Sequence, residues 1–140
     1  MSLKFLTIYM LTLGSLIACD PLTPSIEEQT QAASCQSNQP CDYENYVKVW
    51  LSETNVSPET PFVINLSLPE KMQVRSAKLE GVTMYMGYIP VKFVSHKGVL
   101  VATTMVGICS ERNMTWKLTV EITNKQGQLD TLFYYINVTY

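Results

Sequence analysis

Residues 114–123 read MTWKLTVEIT, and apolar and polar side chains alternate without a break. A period of two is the mark of a strand with one face in a core. Trp116, Leu118, Val120 and Ile122 would face inward, with Thr115, Lys117, Thr119, Glu121 and Thr123 in water. Leu132, Tyr134, Ile136 and Val138 repeat the pattern, as do Val47, Val49 and Leu51 and the row Phe62, Ile64, Leu66 and Leu68. Further strands are expected over 72–79, 82–86, 91–95 and 99–108. Turn chemistry punctuates the series at 57–61 (SPETP), 68–71 (LPEK), 95–98 (SHKG) and 124–127 (NKQG). No segment carries a helical period. The expectation is an all-β chain: an immunoglobulin-like β-sandwich of seven or eight strands over residues 43–140, with an eight-stranded barrel as the competing architecture.

The first twenty residues, MSLKFLTIYMLTLGSLIACD, follow a different logic. Lys4 gives a positive start, and 5–17 form an apolar run too short to span a bilayer but suited to a secretory signal. Leu16-Ile17-Ala18-Cys19 resembles the bacterial lipobox, which implies a signal peptide over 1–18 and lipidation of Cys19. Asp20, directly after it, resembles the signal that retains enteric lipoproteins at the inner membrane. Each buried methylene of an acyl chain contributes ~0.8 kcal/mol, so several chains on one cysteine make a stable anchor. Residues 20–42, rich in Pro, Ser, Thr, Gln and Glu, bury too little apolar surface to offset their ordering entropy. They are expected to be a flexible tether reaching roughly 25–30 Å. The lipobox resemblance implies an address at the periplasmic face of a bacterial envelope, an oxidising compartment.

Function classes can be excluded from charge and composition. Ten Lys and Arg against twelve Asp and Glu give a net charge of −2 with no basic cluster, so nucleic acid is set aside. His96, the single histidine, stands in a Ser-His-Lys-Gly turn with no acid beside it, and the carboxylates are scattered. No catalytic activity is expected. Four Asn-x-Ser/Thr triplets, at Asn55, Asn65, Asn113 and Asn137, are ascribed to chance in a Thr-rich chain.

With Cys19 lipidated, three cysteines remain. Cys35–Cys41, Cys41–Cys109 and Cys35–Cys109 are all open pairings. The short separation and the proline between them favour Cys35–Cys41, which would leave Cys109 free. The stretch EGVTMYMGYIP (80–90) then supplies two thioethers, Met84 and Met86, on one face of the expected strand. Cys109 and Met114 flank Ser-Glu-Arg-Asn, a segment of hairpin length that would set them opposite each other. Thiolate and thioether donors select Cu(I), so Met84, Met86, Cys109 and Met114 form a candidate ligand set. Against this stands the plain reading that the methionines fill gaps in a core.

The stretch GVTMYMGYIPVKF followed by CSERNMTWKLTVEI resembles small periplasmic FixH-like and YtkA-like proteins over residues 79–123. The resemblance implies an immunoglobulin-like domain concerned with copper handling and respiratory oxidase assembly. Met84 and Met86 would take the place of the family's Met-x-Met pair, and Trp116 that of its late-strand tryptophan. The family's ligand histidines have no counterpart here. A copper chaperone or an oxidase subunit would then be the partner, alongside the membrane reached through the lipid. The alternative is a metal-free accessory lipoprotein that docks on an envelope complex through Trp50, Tyr85 and Tyr88.

Overall fold

The computed structural model describes residues 35–123 and 126–140. The expected signal peptide, Cys19, Asp20 and the tether up to residue 34 lie outside the described residues. Among the described residues nine strands run in chain order: β1 (Cys41–Asp42), β2 (Lys48–Leu51), β3 (Phe62–Ser67), β4 (Gln73–Gly81), β5 (Tyr88–Pro90), β6 (Val94–His96), β7 (Val99–Thr104), β8 (Asn113–Thr123) and β9 (Leu129–Thr139). A single 3-10 turn, Glu44–Tyr46, joins β1 to β2.

The strands form two antiparallel sheets, ordered β1-β2-β3-β7-β6 and β5-β4-β8-β9. With β2 as the first strand, this is the ABED and C′CFG arrangement of an immunoglobulin-like sandwich. Two separate sheets rule out the barrel. The alternating residues read from the sequence do face inward: Met114, Trp116, Leu118, Val120 and Ile122 of β8 are all buried, as are Leu132, Tyr134, Ile136 and Val138 of β9. They meet Phe62, Ile64 and Leu66 of β3 and Val49 and Leu51 of β2 in one core. Each such side chain contributes about 1.5–3 kcal/mol when taken from water. The β6–β7 hairpin turns through Lys97 and Gly98, both at positive φ, as a two-residue loop of matching twist requires.

The strand expected over 91–95 shrinks to β6 at Val94–His96, and three further boundaries differ from expectation. Residues 82–86 are not a strand: β4 runs on to Gly81, and the chain then bends until β5 begins at Tyr88. Gly81 and Gly87 explain this. A Cβ on Gly81 would collide with the backbone oxygen of Met84, so only glycine lets the chain fold back there, and Gly87 has φ +78°. Next, β7 stops at Thr104, and residues 105–112 cross from one sheet to the other instead of forming a hairpin. Cys109 and Met114 are therefore not cross-strand neighbours.

The third correction concerns the tether. Its last eight residues, 35–42, belong to the folded domain, which begins before the expected boundary at Tyr43. Cys35 and Cys41 are joined in a disulfide with Cα atoms 5.4 Å apart. Cys41 is buried and pairs with Val49 of β2. Asn38, at φ +63°, turns its amide onto β9. Its Nδ2 donates to the carbonyls of Thr54 (2.7 Å) and Asn137 (2.8 Å), while its Oδ1 accepts from the Asn137 backbone N–H (2.7 Å). Composition hid this, because the segment is held by polar contacts and a covalent bond and buries little apolar surface.

Asn38→Ala removes three hydrogen bonds at once and should lower stability by about 1–3 kcal/mol. Urea unfolding followed by tryptophan fluorescence, with an unchanged m-value, would register it.

A second outcome rests on two tyrosines. The Tyr43 hydroxyl donates to the Phe133 carbonyl (2.7 Å) and the Tyr134 hydroxyl to the Gln39 carbonyl (2.9 Å). Burial pushes Tyr134 up to about 12, and burial together with the neighbouring Tyr134 pushes Tyr43 higher still. Above the ordinary tyrosine range the unfolded chain loses these protons and the folded one keeps them. Stability should thus hold up to about pH 10 and fall between about pH 10 and 12. Tyr43→Phe and Tyr134→Phe should flatten that fall in unfolding curves taken across the alkaline range.

Candidate metal centre

Strands β4, β8 and β9 lie side by side, and at one end of this sheet Gly81 of β4 faces Trp116 of β8 while Thr139 of β9 faces Asn113. The chain leaving β4 and the chain entering β8 therefore emerge together. The first turn of the 82–87 segment is tied to β8: the Val82 N–H donates to the Thr115 carbonyl (2.8 Å), and the Thr115 N–H donates to Thr83 Oγ1 (2.8 Å). From the other side, the 105–112 crossing is anchored by buried Val106, whose carbonyl accepts the Glu59 N–H (2.8 Å). Tyr140, just past β9, donates its hydroxyl to the Cys109 carbonyl.

These constraints bring sulfur to sulfur. Cys109 Sγ lies 3.1 Å from Met84 Sδ, the thiol donating weakly to the thioether. Two residues along each segment, the terminal methyl of Met86 lies over Gly107, 3.8 Å from where a Cβ would stand. The two segments thus oppose each other in antiparallel fashion, Met84 on Cys109 and Met86 on Gly107. The strand expected to set Met84 and Met86 on a shared face is absent.

Exposure divides the candidate ligands. Met84 is 41% and Met86 40% exposed, whereas Met114 is 4% exposed and packs in the core as the first member of the inward row of β8. Met114 does not join the other three. Cys109 is a free thiol of intermediate exposure that packs partly against the core. No group of three or more His, Cys, Asp or Glu gathers among the described residues. His96 stands exposed at the β6–β7 turn, in the other sheet.

Some contributors escaped the sequence reading. Tyr140 fixes the backbone of Cys109 from 31 residues away, and nothing in the chain marks such a contact. Gly81 left a signal: a glycine ending an otherwise regular alternation points to close backbone approach. Comparisons with family models, curated proteins and solved structures return no match.

Gly81→Ala should displace the Met84 carbonyl and pull the thioether away from Cys109, at about 1–3 kcal/mol in stability. The check is twofold: a lower urea midpoint, and a changed methyl shift for Met84 in a methionine-labelled sample while Met72 and Met114 stay in place.

Proposed function

We propose that this chain is a membrane-anchored lipoprotein of the bacterial envelope, lipidated at Cys19, that binds Cu(I) or hands it on through Met84, Met86 and Cys109 without catalysing a reaction. One observation carries the reading: a free thiol and a thioether 3.1 Å apart on two facing segments, with the half-exposed Met86 lying over Gly107 of the same crossing. Soft sulfur ligands discriminate in favour of Cu(I) over hard and borderline ions. Cys109 would bind as the thiolate, so loading releases a proton, while the two methionines stay neutral donors at any pH. The face open to solvent leaves room for an incoming ligand. The resemblance of residues 79–123 to FixH-like and YtkA-like proteins supports copper handling in service of a respiratory oxidase, with a copper chaperone or oxidase subunit as partner. Asp20 favours the inner membrane.

A second reading has its own support. Tyr85 is 78% and Tyr88 64% exposed, close to the sulfurs, and Trp50 lies on the outer face of β2. A metal-free accessory lipoprotein would use such rings to dock on an envelope complex.

Titration of the protein with Cu(I) against a competing chelator separates the two. Cys109→Ser should weaken binding by at least ~100-fold, beyond the ~10–100-fold lost with an outer-shell partner. Met84→Leu with Met86→Leu should weaken it comparably, and Met114→Leu should leave it unchanged. A wild-type protein that cannot compete with the chelator would leave only the docking role.

A further inference from the structure

The outer edge of β9 is closed by the polar segment ahead of the sandwich. In an antiparallel edge strand, alternate residues turn their N–H and C=O away from the sheet, and an open row of them recruits stray strands. On β9 these are the odd-numbered positions, and partners line up along them. The Phe133 carbonyl accepts from Tyr43 Oη (2.7 Å) and the Tyr135 carbonyl from the Asn38 N–H (3.2 Å). The Asn137 carbonyl and N–H are both met by the Asn38 side chain, and the Thr139 N–H donates to the Val56 carbonyl (3.1 Å). All but the last come from residues 38–43.

That same segment holds the other sheet too. Cys41 and Asp42 pair with Val49 and Lys48 of β2, so residues 35–42 bridge the two sheets along one side of the sandwich. The turn within it is closed by a disulfide of sequence separation 6. Asn38 sits inside the ring at positive φ, a conformation of low intrinsic population outside glycine. The ring selects that conformation, and with it the pairing to β9. The two sulfurs differ in access: Cys41 is 1% exposed, while Cys35 is only partly buried.

We infer that the Cys35–Cys41 bridge is the latch of a redox-responsive edge clip, and that reduction by a dithiol releases residues 35–42 and uncovers the outer edge of β9. The thiolate of the dithiol attacks Cys35 Sγ, forming a mixed disulfide and expelling the Cys41 thiolate, which takes up a proton. The second thiol of the reductant then attacks its own sulfur in the mixed disulfide and releases Cys35 as a thiol. The pair gains two electrons and two protons, and the reductant leaves as its own disulfide. Without the ring, residues 35–42 regain their conformational freedom and Asn38 no longer presents its amide to Asn137. The core is untouched, because β8 stays paired with both β4 and β9.

The test is amide hydrogen exchange on the full chain, oxidised and after treatment with dithiothreitol under native conditions, with alkylation and mass measurement counting the new thiols. Two new thiols should appear. The amides of Asn38, Gln39 and Asn137 should then exchange roughly ten- to fifty-fold faster, the range that opening so small a ring allows, while Leu118 and Val120 keep their protection. Cys35→Ser/Cys41→Ser should reproduce the reduced pattern in the absence of reductant. Verified reduction with unchanged exchange at Asn137 overturns the proposal. So does a bridge that resists dithiothreitol until the protein unfolds, or a loss of protection that spreads to β8.

Discussion

Strand β8 is hydrogen-bonded along its length on both sides, to β9 over eleven residue pairs and to β4 over eight, with one slip near Val74. Everything at the sulfur-bearing end depends on that pairing. It aligns the end of β4, the start of β8 and the end of β9, so three chain segments far apart in sequence leave the sheet at one place. The inward face of β8, from Met114 to Ile122, meanwhile fixes the strand against the opposite sheet. A register slip of one residue would turn Trp116 outward and carry the whole end of the sheet with it. The positions of Met84 and Cys109 are thus inherited from the core.

The two long sides of the sandwich are treated differently. On the β5 and β6 side the edge strands have three residues each, too short to template another chain. On the β9 side the edge strand has eleven residues, and it is covered by Asn38, Tyr43 and Val56. The covering groups are mostly polar and the shared disulfide is local. Cys41, Tyr43 and Val56 also bury their side chains in the core, and the layer further satisfies backbone groups that would otherwise be left to solvent or to a neighbour.

The strands with one buried face were legible because alternation is a direct consequence of the pleat. β8, β9, β3 and β2 declare themselves in this way, and Trp116 and its neighbours fall where the pattern puts them. The failures sit where glycine or a polar contact decides. The stretch 82–86 carries an alternating pattern, yet Gly81 and Gly87 bend it out of the sheet. Residues 99–108 look like one strand, but the chain must change sheets after Thr104, and connectivity leaves no trace in periodicity. Composition made residues 35–42 a tether, since an asparagine that replaces a strand partner reads like any loop asparagine. At the candidate site the division is similar: the sulfurs could be named from residue type, while the Sγ to Sδ contact and the exclusion of Met114 required three dimensions.

The half-exposed setting of Met84 and Met86 has a chemical cost. A peroxide or hypochlorous acid reaching that end of the molecule would meet these thioethers before Met72 or Met114, which the core shields. Conversion of Met84 to its sulfoxide would set a polar oxygen beside the Cys109 sulfur and remove one soft donor without disturbing the sandwich. Oxidative damage would therefore alter the exposed sulfur pair long before it unfolded the chain.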